Sequence, residues 1–245
     1  MPIKNGDFIK ISYTGRLKNG TVFDTTDGKI AKEAGTFDEK AKYEPQLVVV
    51  GAGHAVKGLE EDMVGRDIGY GGSVEVPPEK GFGERNPALI ETFSITKFKE
   101  KPQPGMQVSI DGRNGVVETA IGRRARVDFN HPLAGILLVY DYVIEEKIDD
   151  TKAKIKGLIN LYARADLDVE IQGDIAKVIV PYSLSFDQRW IISKRQIADE
   201  ILAHTDIKEM LYIEKYTKSK KDVAKKSAKK PIKKSAKKSG KKKIR

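Results

Sequence analysis

The sequence predicts an α+β fold, and three observations carry that expectation. Through residue 147, apolar and polar residues alternate in short runs parted by Asn-Gly, Asp-Gly and other Gly-rich turns, the pattern of antiparallel strands. One run inside that stretch, "AVKGLEEDMVG", repeats at helical spacing instead. From Asp149 the texture changes to two amphipathic helical patterns separated by a hairpin.

Taken in order, "DFIKISYTGRLKNGTVFDTT" reads as a hairpin, with strands at 7–17 and 21–25 joined at Lys18-Asn19-Gly20. Residues 27–44 are polar and irregular, a bulging loop with a short helical turn. "PQLVVVGAGH" is a strand ending in a Gly-rich corner, and the helix that follows sets Val56, Leu59 and Met63 on one face and stops at Gly65. Ser73 to Val76 is a strand halted by Pro77-Pro78. "NPALIETFSITKF" is an apolar strand followed by a helical turn for which Ser94 is the capping residue. Three alternating segments, parted by Asp111-Gly112 and Gly122, complete a small antiparallel sheet over residues 86–130. The dense strand in "LAGILLVYDYVIEEKI" belongs with the first sheet, which makes the small sheet an insertion into one of its loops. Beyond it lie a helix with Ile155, Leu158, Ile159 and Tyr162 on one side, a hairpin closed at Gly173-Asp174, a second helix and a last strand, an α-β-β-α-β unit.

Composition narrows the function classes. The chain has 245 residues, 39% hydrophobic and 33% charged, which describes a soluble protein with a large core and a heavily charged surface. It has no cysteine, which excludes disulfides, thiolate catalysis and cysteine metal sites, and which fits a reducing compartment. The N-terminus lacks an apolar run of signal-peptide length, and no segment approaches the roughly 20 apolar residues of a membrane helix. The reading is a cytoplasmic protein. The net charge of +10 is unevenly placed: residues 218–245 hold 15 Lys/Arg against one acid, Asp222, so this tail carries +14 and residues 1–217 carry −4. Such a dense run of like charge does not bury enough surface to fold, and the expectation is disorder.

In order and spacing, "ISYTGRL…TVFDTT", "GAGHAVKGLEEDMVG", "VPPEKGFG" and "NHPLAGILLVYDYVI" resemble the FKBP-type peptidyl-prolyl isomerases. The closest resemblance is to the SlyD-like branch, in which a small insert-in-flap domain interrupts the catalytic domain. It spans residues 3 to about 147, while residues 149–217 are similar to the extra C-terminal domain of long archaeal members. The resemblance implies a bent antiparallel sheet wrapped on the short helix, an inserted small antiparallel β domain, and a C-terminal α-β-β-α-β domain. The domain limits are then 1–85 with 131–148 for the catalytic part, 86–130 for the insert, 149–217 for the C-terminal part and 218–245 for the tail.

Carried over by motif, the resemblance implies a pocket lined by Tyr13, Phe23, Asp24, Val56, Leu59, Phe82, Leu133 and Tyr140. In the family the backbone N–H at the Val56 position donates to the substrate carbonyl. Asp24 is expected to be held by hydrogen bonds, Tyr13 among the donors, and to shape the electrostatics rather than act as a base. Aromatic and aliphatic residues suit this chemistry, because twisting an X-Pro amide needs no nucleophile and no metal, only a grip on the ring and a water-poor site. The sequence departs from the family at three places: Phe82 stands where a tyrosine is common, Leu59 where the best-known members have tryptophan, and Gln46 where an apolar side chain is usual. A weaker polar grip is the expected consequence.

The insert's apolar residues Leu89, Ile90, Phe93, Phe98 and Met106 partly form its own core, and the family implies that it binds unfolded chains with what stays exposed. The histidines, His54, His131 and His204, are scattered and give a metal site no support; no cofactor is expected. The C-terminal helices are expected to pack on their own hairpin, with dimerisation, substrate clamping or spacing as the unit's role. For the tail, the readings are a solubility segment or salt-sensitive, sequence-independent contact with nucleic acid or the ribosome. Two functions therefore stand side by side: a prolyl isomerase and folding chaperone, or a weakly active or inactive scaffold of the same fold serving as a nucleic-acid- or ribosome-associated binding protein through its tail.

Overall fold

The computed structural model describes residues 1–216, and the readings for residues 218–245 lie outside the described residues. The chain runs β1 (Phe8–Leu17), β2 (Val22–Thr25), α1 (Gly28–Glu33), β3 (Gln46–Val49), α2 (Lys57–Met63), β4 (Gly71–Val76), β5 (Ile90–Ser94), β6 (Gln107–Ile110), β7 (Arg113–Ile121), β8 (Arg124–Asp128), β9 (Leu138–Lys147), α3 (Thr151–Ala163), β10 (Asp168–Gln172), β11 (Ile175–Val180), α4 (Gln188–His204) and β12 (Glu209–Glu214). Among the described residues no helix is long and apolar enough to cross a membrane.

The strands form three sheets. In the first, β9 lies between β1 and β4, all antiparallel, and the far edge of β1 is shared by β3 along residues 8–11 and by β2 along residues 14–16. Its inner face buries Ile9, Ile11, Val48, Val76, Leu138, Tyr140, Tyr142 and Ile144 against Leu59 and Met63 of α2. The second sheet, order β5-β8-β7-β6, is the inserted one and has its own small core of Ile110, Val117, Ala125 and Val127. Ser94 caps the turn after β5 by accepting from the Thr96 N–H. The connections into and out of the insert are tied together: the Asn86 N–H donates to Asn130 Oδ1 (2.8 Å), and Asn130 Nδ2 donates back to the Asn86 carbonyl (3.0 Å). Beside them Arg85 donates to Asp128 (2.6 and 3.0 Å) and pairs with Glu118.

In the third sheet β11 pairs antiparallel with β10 and parallel with β12, α4 making the crossover. Asp150 and Asp187 cap α3 and α4, accepting from the Ala153 and Trp190 N–H groups. The helices do pack on their own hairpin, but the same core also takes in Phe8, Leu47 and Val49 from the first sheet. The apolar run Leu47-Val48-Val49-Val50 is thereby explained. Leu47 and Val49 face the C-terminal helices while Val48 and Val50 face α2, so β3 is buried on both sides. Close approach is possible because α3 carries Gly157 at the contact, where a methyl group would lie 2.7 Å from Leu47 Cδ2. Burying each large apolar side chain contributes about 1.5–3 kcal/mol, so Phe8, Leu47 and Val49 make this a firm attachment.

Candidate active site

The first sheet assembles the aromatic cluster through strand register. Alternation along β1 puts Tyr13 on the inner face with Ile9 and Ile11, and pairing sets Gly15 opposite both Asp24 of β2 and Tyr140 of β9. The absence of a side chain at Gly15 is what lets two rings meet: a methyl there would lie 2.6 Å from Phe23 Cζ and 3.0 Å from Tyr140 Cε1. Phe23 stands edge-on to Tyr140, with centroids 5.7 Å apart at 86°, and Tyr13 lies 6.0 Å away at 55°. Leu59, at 1% exposure, belongs to the same buried cluster, and the half-buried Val56 and Leu133 pack against it.

At the rim the Tyr13 hydroxyl donates to Asp24 Oδ2 at 2.7 Å and lies 3.2 Å from Gln46 Oε1. The opening pattern suggests a carboxylate taken into a half-buried sheet edge. Asp24 is instead exposed, because the four-residue β2 leaves its side chain on the solvent edge, where Tyr13 reaches out to it. Gln46, an oddity in the sequence, joins this pair. Burial and then the Asp24 charge push the Tyr13 hydroxyl well above its ordinary range, and the same two causes raise Tyr140 to about 12. Both therefore stay protonated through the physiological range as neutral donors.

Helix α2 starts at Lys57 with Val56 as its N-terminal cap residue and no side-chain cap. Among the described residues the Val56 N–H has no acceptor. The corner leading to it is held by Glu60, a carboxylate at 6% exposure that accepts from the N–H groups of Gly51 (3.0 Å), Gly53 (3.2 Å) and Ala55 (2.8 Å). Sequence reasoning missed Glu60. A signal was present: it stands four residues after Val56 and three before Met63, on the buried face, next to a Gly-rich corner whose N–H groups need acceptors.

The remaining candidates lie farther out. Phe82 is 36% exposed and stacks on His131, with ring centroids 4.1 Å apart at 8°, rather than joining the aromatic cluster. In the insert, Phe93, Phe98 and Met106 are half-buried against its core, Ile90 is half-buried outside that core, and Leu89 is exposed. Ile121, 78% exposed at the β7–β8 turn, went unnoticed in the sequence, where it stands between Ala120 and Gly122 as the last residue before the turn. Among the described residues no group of three His, Cys, Asp or Glu side chains is arranged to hold a metal ion.

An antiparallel sheet packed on a short helix, with a cluster of neutral aromatics where they meet, is the architecture of a peptidyl-prolyl cis-trans isomerase. The family model described as FKBP-type peptidyl-prolyl cis-trans isomerase matches residues 1–101, and a short-type peptidyl-prolyl cis-trans isomerase of Methanocaldococcus jannaschii is 35% identical over 136 residues, 54% of this chain and 86% of the relative. The chain belongs to the FKBP-type peptidyl-prolyl cis-trans isomerases. Two further family models, FKBP26, IF domain, and FKBP26_C-terminal, match residues 90–133 and 151–217. The chain is also similar to the FKBP-type isomerase SlyD of Aeromonas hydrophila (30% identical over 149 residues, 56% of this chain and 61% of that one). The FKBP-type 16 kDa isomerase of Escherichia coli is 27% identical over 153 residues, 59% of this chain and 93% of that one.

Proposed function

We propose that the pocket beneath Tyr13, Phe23 and Tyr140 takes a prolyl ring and twists the amide before it, while the inserted sheet holds unfolded clients. Rotation about a peptide bond faces a barrier of about 18–20 kcal/mol from amide resonance. A water-poor aromatic site weakens the charge-separated planar form and lowers that barrier, tenfold in rate for each ~1.4 kcal/mol. The observation that carries the reading is a Val56 N–H that has no acceptor among the described residues and stands beside the neutral aromatic cluster. In it Val56 donates to the substrate carbonyl, Leu59 is the floor, and Phe23 and Tyr140 grip the ring. Asp24, held by Tyr13, sets the local field, and Phe82 and Leu133 form the lip. For the insert, support comes from its separate core, its exposed Leu89 and Ile121, and the match to an IF domain.

The test is refolding of a proline-limited protein with catalytic amounts of this chain, compared with a version in which a short loop replaces residues 86–130. Strong acceleration that collapses in the shortened chain, with activity on a short prolyl peptide retained, is the expected result. Equal acceleration by both removes the chaperone role. Equal peptide activity across Tyr13→Phe, Asp24→Ala and Tyr140→Ala removes the pocket assignment. The same reading places the chain in the cytoplasm, which cell fractionation tests. It also gives the exposed Phe186 and Ile192, 72% and 70% accessible, to contact with a second copy, and a monomer in sedimentation equilibrium at micromolar concentration contradicts that.

A further inference from the structure

The corner between β3 and α2 is held from inside by Glu60 and from outside by His54, and the outer support comes from the C-terminal unit. His54 is almost fully buried, its side chain 3% exposed. Its Nδ1 accepts from the Val49 N–H at 3.2 Å, so the ring proton sits on Nε2. That nitrogen lies 2.8 Å from Glu200 Oε2 on α4 and 2.9 Å from the Tyr162 hydroxyl on α3. Tyr162 donates to Glu200 Oε1 at 2.5 Å and accepts from Gln196 Nε2 at 2.9 Å, with its ring edge-on to the imidazole. The nearby Arg195 and Asp199 are taken up with each other on the solvent side. Every polar contact of the His54 ring is thus with β3 or with the C-terminal helices.

A buried histidine–carboxylate pair adds little net stability compared with apolar packing. What it does supply is fixed geometry. His54 stands two residues before Val56, and the intervening Ala55 N–H is already tied to Glu60. Movement of the imidazole therefore passes along a short, pinned segment to the Val56 N–H.

We propose that Glu200 and Tyr162 are positioning residues for prolyl isomerisation, acting through His54 to hold the Gly51–Val56 corner so that the Val56 N–H meets the substrate carbonyl. This rests on the reading of Val56 as the donor. The C-terminal unit is then part of the catalytic apparatus, although it touches no substrate.

The experiment uses the full chain and a short prolyl peptide, measuring kcat and KM separately for Glu200→Gln and Tyr162→Phe, and following the Val56 amide by NMR. Both variants are expected to lose about three- to tenfold in kcat, the scale of one hydrogen bond, with KM nearly constant and the Val56 amide signal displaced. Folding is checked by the emission of Trp190, which lies in the C-terminal core. Val56→Pro separates the two readings, because φ at Val56 is −62°, which proline adopts while removing the N–H. Full activity in Val56→Pro overturns the donor reading and this inference with it. Loss of activity there, with kcat and the Val56 amide signal unchanged in folded Glu200→Gln and Tyr162→Phe, leaves the donor standing and overturns the coupling alone.

Discussion

Replacing Gly15 by alanine tests the aromatic cluster where two of its rings close over the backbone. The new methyl would stand 2.6 and 2.8 Å from two atoms of the Phe23 ring and 3.0 Å from Tyr140 Cε1. Carbon atoms in contact prefer about 3.5–4.0 Å, so one ring must retreat by roughly 1 Å. Phe23 is the one able to move, since it is half-buried on the short strand β2, whereas Tyr140 is 4% exposed in the centre of the sheet. Overpacking costs about 1–3 kcal/mol, and losing the edge-to-face pair adds about 0.5–1.5 kcal/mol. Alanine returns about 0.5–1 kcal/mol because glycine is the poorer strand residue. The net expectation is about 2 kcal/mol of destabilisation, read as a lowered urea midpoint of the catalytic sheet, with about a tenfold loss of kcat/KM on a prolyl peptide if 1.4 kcal/mol of that contact acts in the transition state. Combining Gly15→Ala with Phe23→Leu removes the clashing ring, so the double variant should be more stable than the two single effects predict. A Gly15→Ala protein as stable and as active as its parent refutes this account of how the rings are packed.

Three other outcomes follow from the geometry. Glu60→Gln turns an amide NH2 toward either the Ala55 N–H or the Gly51 and Gly53 N–H groups that the carboxylate accepts, and should cost about 2 kcal/mol while speeding hydrogen exchange at Ala55 or at the two glycines; unchanged exchange at all three contradicts it. Arg85→Ala releases Asp128 and Glu118 at the neck of the insert, and is expected to leave peptide activity and the unfolding midpoint nearly unchanged while refolding acceleration falls toward that of the insert-deleted chain; equal loss on both substrates argues against these ties acting through the insert. Burial acts to raise the Glu200 carboxyl, but hydrogen bonds from His54 and Tyr162 outweigh it and leave its pKa below the usual 4.5. A lowered folded-state pKa means the contribution is complete above 4.5 and lost as pH falls below it. The stability difference between parent and Glu200→Gln should therefore shrink below pH 4.5, and a difference independent of pH there counts against the pair.

Much of this architecture is legible in the sequence because its cues are local. Alternation and Asn-Gly or Asp-Gly turns mark β1–β2 and β6–β8, and the dense run at Leu138–Lys147 marks a strand buried in the middle of a sheet. The Tyr13, Phe23 and Tyr140 cluster is legible through motif order. Partners across long sequence distances are not. His54 and Glu200 are 146 residues apart, and nothing in either neighbourhood announces the other. The attachment of α3 and α4 to β3 is hidden for a related reason: Leu47-Val48-Val49-Val50 signals burial on two faces without saying what covers the second. Asp24 misleads in the opposite direction, since its apolar neighbours suggest burial while a four-residue edge strand leaves it in solvent.

The place of β9 bears on how the molecule is made. A ribosome releases the chain from its N-terminus, so the insert is complete at residue 130, while the first sheet still lacks Leu138–Lys147, the strand that joins β1 to β4. Within the insert β6–β8 are local hairpins, which close quickly, and β5 finds β8 within the same short segment (Ser94 beside Arg124), whereas the host must bring β1 to β9, more than a hundred residues away. The guest is thus ready before its host. During synthesis a nascent chain of this protein presents its inserted sheet first, and only later completes the sheet that brings Tyr140 beside Tyr13 and Phe23.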